Sequence, residues 1–142
     1  MTSKAESITQ AVVTALGTPT MASVPTARVF RDLKDALASD QWPAIVVETG
    51  DEQEPVRALI GYKMRRVDVL MTILADGGFS DADAALVEAH NRLAADPTLG
   101  GLAFEFDELE TTRTREGAAQ NVVSVTKTYQ YSFRTTEASL ES

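Results

Sequence analysis

The chain has 142 residues, 44% hydrophobic and 24% charged, which predicts one globular domain whose core needs neither metal nor disulfide. It has no cysteine, which excludes disulfides, thiolate zinc sites, iron–sulfur clusters and cysteine nucleophiles. The formal net charge of −8 disfavours a grip on nucleic-acid phosphates or an anionic membrane, and no apolar run reaches the roughly 18 residues of a membrane span. We therefore expect a soluble protein made in the cytoplasm.

The first third of the chain predicts a helix and two short strands. The helix is expected over Ser3–Leu16, with Ser3 or Ser7 as its cap and Gly17-Thr-Pro19 as its stop. Its apolar residues at helical spacing are Ile8, Val12 and Ala15, with Val13 and Leu16 beside them. The expected elements that follow are a short strand at Ala27–Phe30, a weak helix at Arg31–Ser39 and a strand at Pro43–Thr49.

The middle of the chain contains the longest β-like stretch, Arg57–Ala75, after an exposed acidic turn at Gly50–Pro55. Alternation of apolar residues changes parity between Met64 and Val67. Two interpretations stay open: a bulge that adds one residue, or a long strand that leaves one core and meets a second buried surface.

The last part predicts a helix and two closing strands. Asp76-Gly-Gly78 ends the long strand, Ser80 with Asp83 matches a capping box, and the helix runs through Ala95 to a stop at Asp96-Pro97. The remaining expected elements are a strand at Leu102–Asp107, a polar hairpin tip at Thr111–Gln120, a strand at Val123–Phe133 and a frayed tail at 137–142. The order predicts a single α+β domain over 1–142, with a mostly antiparallel (mixed) sheet flanked by helices.

No pattern for catalysis or cofactor binding is visible in the sequence. His90 is the only histidine and cannot by itself build a zinc site, so a partly exposed helical residue is the simpler interpretation. Neither Gly77-Gly78 nor Gly100-Gly101 belongs to a phosphate-binding motif, and both pairs are expected to be turn residues with positive φ. The acidic clusters at 51–54 and 105–110 are expected to be solvated or partner-facing, and Trp42 to anchor a core or an interface. We expect no enzyme activity, no cofactor and no metal.

From Gly50 onward the chain resembles a known family. The resemblance covers a long strand that begins Ile60-Gly-Tyr-Lys-Met, a helix with Leu86-Val-Glu-Ala-His-Asn-Arg-Leu93, the turn Asp96-Pro-Thr-Leu-Gly-Gly-Leu102, and a last strand ending Tyr129-Gln-Tyr-Ser-Phe-Arg-Thr135. In this order the elements are similar to the tail-terminator (tail-completion, minor tail) proteins of long-tailed bacteriophages. The segment before Trp42 matches only loosely, and Phe133 stands where an aliphatic residue or tyrosine is common.

The resemblance implies an α+β domain that forms a six-membered ring on the completed tail tube. Such a ring stops polymerisation of the major tail tube protein and presents a docking surface to the head–tail connector or stopper. The expected location is the head-proximal end of the virion tail. Six copies at −8 each would carry −48, and an acidic lumen would let DNA pass without specific binding.

Charge segregation along the chain suggests how neighbouring subunits join. The segment Arg57–Ala75 sums to +3, and the segment Asp76–Glu110 sums to −8. A ring is a head-to-tail assembly that needs two different, complementary faces on each subunit. The expected interface pairs Lys63, Arg65 and Arg66 of one subunit with Glu105, Asp107, Glu108 and Glu110 of the next, with Arg113 and Arg115 nearby. The alternative is that the two segments neutralise each other within one subunit.

Two other functions stay open at this level. One is a head–tail connector or stopper, which would share the ring geometry and a small α+β fold. The other is a small cytoplasmic enzyme or ligand-binding domain that uses the carboxylates.

Overall fold

The computed structural model describes residues 2–22, 24, 28–31, 43–53, 55–76, 78–116 and 122–140. The elements in chain order are helix α1 (Lys4–Gly17), strands β1 (Val29–Phe30), β2 (Ala44–Glu52), β3 (Val56–Leu59) and β4 (Tyr62–Ala75), helix α2 (Phe79–Ala95), and strands β5 (Glu105–Glu116) and β6 (Val122–Thr136). Trp42 and all but the first residue of the expected weak helix at Arg31–Ser39 lie outside the described residues.

The described strands form one mixed sheet in the order β1-β2-β4-β6-β5, and β3 pairs with the start of β4. The pair β1–β2 is parallel and the other pairs are antiparallel. Helix α1 contacts β1, β2 and α2, while α2 also contacts β4 and β6. The predicted α+β fold with a mostly antiparallel, mixed sheet is therefore confirmed.

Alternation along β4 and β6 creates the core between the sheet and the two helices. Every second residue of β4 from Val67 to Ala75 is fully or almost fully buried. Two other elements complete the same cluster. Strand β6 contributes Val123, Val125, Tyr129, Tyr131 and Phe133, and the buried face of α1 contributes Ile8, Val12 and Leu16. Each of the larger of these side chains contributes about 1.5–3 kcal/mol of burial free energy relative to an exposed position.

Helix α1 ends where its sequence indicates. The Ser3 side chain accepts a hydrogen bond from the Glu6 amide at 3.2 Å, which satisfies one of the free donors of the first turn. At the other end Arg92 of α2 donates to backbone carbonyls of the last turn and the following loop, those of Ala15, Leu16 and Pro19. The guanidinium thereby places a positive charge at the negative end of the α1 dipole and ties the two helices together.

The prediction of one strand over Arg57–Ala75 is wrong. Leu59 pairs with Tyr62, so the chain makes a tight hairpin turn at Ile60-Gly61, where Gly61 has φ 86°. Strand β4 then pairs with β6 without a register shift from Tyr62 to Ala75, which excludes the first of the two open interpretations, a bulge at 64–67. The irregularity lies in β2 instead, between Thr49 and Glu52, so part of the expected turn at Gly50–Pro55 is strand.

The predicted capping box at Ser80 is also wrong. Helix α2 begins at Phe79, and its N-cap is Gly78, which offers no side chain to accept a hydrogen bond. The C-terminal stop at Asp96 and the buried residues Ala82, Leu86, Ala89 and Leu93 are as predicted. No helix in the described ranges is long and apolar enough to cross a membrane.

Two expectations for the last third change in their boundaries. Strand β5 starts at Glu105 and continues to Glu116, so most of the expected hairpin tip at Thr111–Gln120 is strand, and 117–121 lie outside the described residues. Residues 137–140, expected to be frayed, make backbone hydrogen bonds. Glu137 donates to the Gly61 carbonyl at 3.0 Å, and the Leu140 carbonyl accepts from the Lys4 amide at 2.7 Å.

Candidate interaction surface

Strand β5 places most of the predicted acidic residues at the edge of the sheet. Glu105, Asp107 and Glu110 are exposed and form no ion pair with any described residue. The strand pairs with β6 on its inner side, and no described strand pairs with its outer side. The register shifts between Glu108 and Thr111, so Leu109 and Glu110 leave the ladder as a bulge, and Leu109 is 42% exposed.

The predicted basic residues lie on β4, inside the sheet. Lys63 is opposite Thr135 of β6, Arg65 donates from Nε to the Thr135 hydroxyl at 2.7 Å, and Arg66 is exposed. Strand β6 separates them from β5: Arg66 and Glu105 both lie opposite Ser132, one on each side. The two charged segments are thus close in one subunit, but no ion pair joins them among the described residues.

Glu108 differs from its acidic neighbours because it is paired within the domain. It faces the helix side of the sheet and binds the Lys127 ammonium at 2.9 Å. This hydrogen bond and its charge hold the pKa of Glu108 below the ordinary value. Lys127 interrupts the apolar face of β6, and its side chain is only 12% exposed, so Glu108 supplies the charge that its burial requires.

His90 belongs to the same cluster as Glu108 and Lys127. Its Nδ1 is 3.0 Å from the Tyr129 hydroxyl and 3.8 Å from Glu108. Burial raises the pKa of Tyr129 far above its ordinary range. A small cavity of about 220 Å³ opens beside His90, lined by Leu86, Val87, Asn91, Glu108 and Lys127. Within the described ranges no group of three potential ligands could hold a metal ion.

Arg113 and Arg115 face α2 rather than the acidic part of β5. The Arg113 guanidinium is 4.0 Å from Asp83, and the two side chains are 50% and 61% exposed. The Arg115 guanidinium lies over the Phe79 ring, 5.3 Å from its centroid. These contacts fix the distal half of β5 against the start of α2.

A second surface, which the sequence interpretation missed, lies where β4 begins and β6 ends. An open cavity of about 650 Å³ there is lined by Lys4, Tyr62, Gly101, Leu102, Phe104 and Arg134, and we refer to it as the cationic groove. Arg134 lies over the Tyr62 ring at 4.8 Å, and the Lys4 ammonium donates to the Arg134 carbonyl at 3.0 Å. Neither cation has a carboxylate partner among the described residues.

The turn before β5 forms one wall of the groove. Gly100 and Gly101 have φ of 70° and 97°, as predicted, and the Asp96 carboxylate accepts from the Gly100 amide at 3.2 Å. The groove could not be found from sequence spacing, because its residues come from four distant segments that only the fold brings together.

Comparison with known proteins places the fold but not a family. No protein-family model and no curated protein sequence matches the chain. A chain in a structure described as the virion of a native gene transfer agent particle has a similar fold. The TM-score is 0.56 at 16% sequence identity, and the match covers 78% of this chain and 81% of that chain. At this identity the similarity shows that the two chains share an α+β fold.

Proposed function

We propose that this protein is a structural subunit of a phage-like virion, and that it forms a ring which caps the tail tube. The observation that carries the proposal is the fold shared with a chain of a gene transfer agent virion over about four-fifths of both chains. The resemblance of the sequence from Gly50 onward to tail-terminator proteins supports the same context independently.

The surface chemistry is consistent with assembly rather than catalysis. The described part of the domain exposes a long charged edge strand and, elsewhere, the cationic groove. A protein that joins others needs such separate, complementary surfaces. In this proposal the ring ends tube polymerisation and offers its other side to the connector, and it works through shape and charge without a chemical step.

Electron microscopy of tail tubes incubated with the purified protein tests this role. The proposal requires rings bound at one end of each tube, and tubes that no longer elongate when tube subunits are added. Control tubes without the protein should continue to grow. Rings that bind isolated connectors but never tube ends would assign the protein to the connector or stopper class instead.

A further inference from the structure

Exposed apolar residues concentrate at the end of the sheet that carries the cationic groove. Ile60 at the hairpin turn is 93% exposed, Tyr62 40% and Phe104 53%. Leu140, 55% exposed, is held beside Lys4 by its backbone carbonyl. Isolated exposed apolar residues are common, but several at one end of a small domain, two of them lining one cavity, indicate a contact surface.

The charge of this surface selects an acidic partner. Lys4 and Arg134 line the groove with no carboxylate partner among the described residues, and Arg134 is held in place over Tyr62. Such a groove fits an extended segment that carries carboxylates together with one apolar side chain.

The bulge of β5 has this chemistry. Leu109 and Glu110 leave the ladder there, Leu109 is 42% exposed, and Asp107 and Glu110 have no ion pair with a described residue. We propose that the β5 bulge of one subunit docks in the cationic groove of the next, with Leu109 between Tyr62 and Phe104 and the two carboxylates near Lys4 and Arg134.

This contact has the symmetry that a ring needs. The groove lies at the ends of β4 and β6, whereas the bulge lies midway along the lateral edge of the sheet, so the two surfaces are different parts of one subunit. A contact between different surfaces repeats from subunit to subunit and closes into a ring when the rotation permits. The inference deepens the proposed ring function and rests on it, but the contact itself can be measured without tail tubes.

Sedimentation velocity at increasing protein concentration is the direct test. Arg134→Glu on the groove side and Glu110→Arg on the bulge side should each weaken self-association at least about tenfold, because a like-charge juxtaposition replaces an attractive one. The double variant Arg134→Glu/Glu110→Arg should recover most of the loss. Leu109→Ser and Phe104→Ser should weaken association as well, while Val87→Ser, a matched control at a similarly exposed position on α2, should not.

Two controls separate folding from association. Asp76→Lys makes the same charge change as Glu110→Arg at an exposed position beyond the other end of β4, and it should leave association intact. Thermal melting of every variant at a concentration where the wild type is dissociated should stay near the wild-type value.

The outcomes distinguish a failure of the proposed contact from a failure of the proposed function. A wild type that stays monomeric, single reversals that leave association unchanged, or a double variant that fails to recover would each overturn the proposed contact. If the reversed variants still form rings on tube ends, the contact is wrong and the proposed function stands. If the wild type associates through the groove but never binds tubes, the contact stands and the proposed function is wrong.

Discussion

Glu108 and Glu110 are two positions apart on β5, yet the structure assigns them different roles. Glu108 binds Lys127 within the domain at 2.9 Å, whereas Glu110 is exposed in the bulge and forms no ion pair with a described residue. Replacing Glu108 with glutamine should therefore destabilise the subunit, and the same change at Glu110 should not.

The size of the effect follows from the burial of the two partners. A hydrogen bond to a charged group contributes roughly 1.5–3 kcal/mol when it is shielded, and an exposed ion pair about 0.2–1 kcal/mol. Lys127 is only 12% exposed, but the Glu108 side chain is 51% exposed, so solvent screens the interaction. We expect Glu108→Gln to cost about 1 kcal/mol, a fall in Tm of roughly 3–5 °C for a domain of this size.

The pH dependence of the effect has a definite sign. The pKa of Glu108 is lower in the folded domain than the ordinary value of 4.5, which applies to the unfolded chain. Its contribution to stability is therefore complete above pH 4.5 and is lost as the pH falls through the folded pKa. The gap between wild type and Glu108→Gln should be widest at neutral pH and should close in acid.

Urea denaturation of the dissociated protein at several pH values measures both effects, with Glu110→Gln as the matched control. Equal stability of Glu108→Gln and Glu110→Gln at neutral pH would refute the assignment of Glu108 to the internal cluster. A gap that persists unchanged at low pH would show that the loss does not come from the ionised carboxylate.

Three further predictions concern the groove wall, the core and the basic strand. Gly101→Val should cost about 1–3 kcal/mol through backbone strain alone, because a Cβ at this φ of 97° meets no other atom within 4 Å; an unchanged thermal melt would contradict this. Tyr131→Phe should keep or raise Tm, since the buried Tyr131 hydroxyl has no hydrogen-bond partner among the described residues. Tyr129→Phe should instead lower the free energy of unfolding by about 0.5–1.5 kcal/mol, because the hydrogen bond between the Tyr129 hydroxyl and His90 is lost. Charge reversal at Arg65 and Arg66 should weaken assembly more at low salt than at high salt, and Arg66 is the cleaner site because Arg65 also binds Thr135. Variants that melt earlier yet still form rings would show that these side chains stabilise the subunit and not the assembly.

Elements with one buried face were predictable from the sequence. In helix α1 the apolar residues at helical spacing and the Ser3 cap predict the element. The end of α2 at Asp96 is predicted by the proline that follows it. The inward residues of β4 and β6 from Val67 and Val123 onward alternate because that face of the two strands packs in the core beneath α1 and α2. In these segments the spacing of apolar residues therefore predicts both the type of element and the residues that are buried.

Elements without such a face were not predictable. The distal half of β5 lies at the edge of the sheet and is polar on both sides. Its alternation of threonine and arginine therefore has no apolar signal, and the sequence predicts a hairpin tip there. The turn at Ile60-Gly61 was missed because the apolar residues on either side of it continue the strand pattern, and only the pairing of Leu59 with Tyr62 reveals it. Capping of α2 by Gly78 is not predictable, because Ser80 matches the capping pattern better only two residues later.

The candidate interaction surface also has parts that the sequence predicts and parts that it does not. The sequence located the acids of β5 and the glycine turn, since both are local features. It could not separate Glu108 from Glu110, because their difference depends on the bulge between Glu108 and Thr111, which takes Glu110 out of the ladder and leaves Glu108 beside Lys127. It also could not assemble the cationic groove, whose lining residues are spread along the chain from Lys4 to Thr136.

Cryo-electron microscopy of purified tail tubes mixed with this protein shows directly whether it forms a ring on the tube. We expect a single closed ring of subunits at one end of the tube, joined head to tail, and tubes that stop growing once the ring is bound. Tubes that keep elongating with bare ends, while the protein stays monomeric in solution, would contradict this expectation.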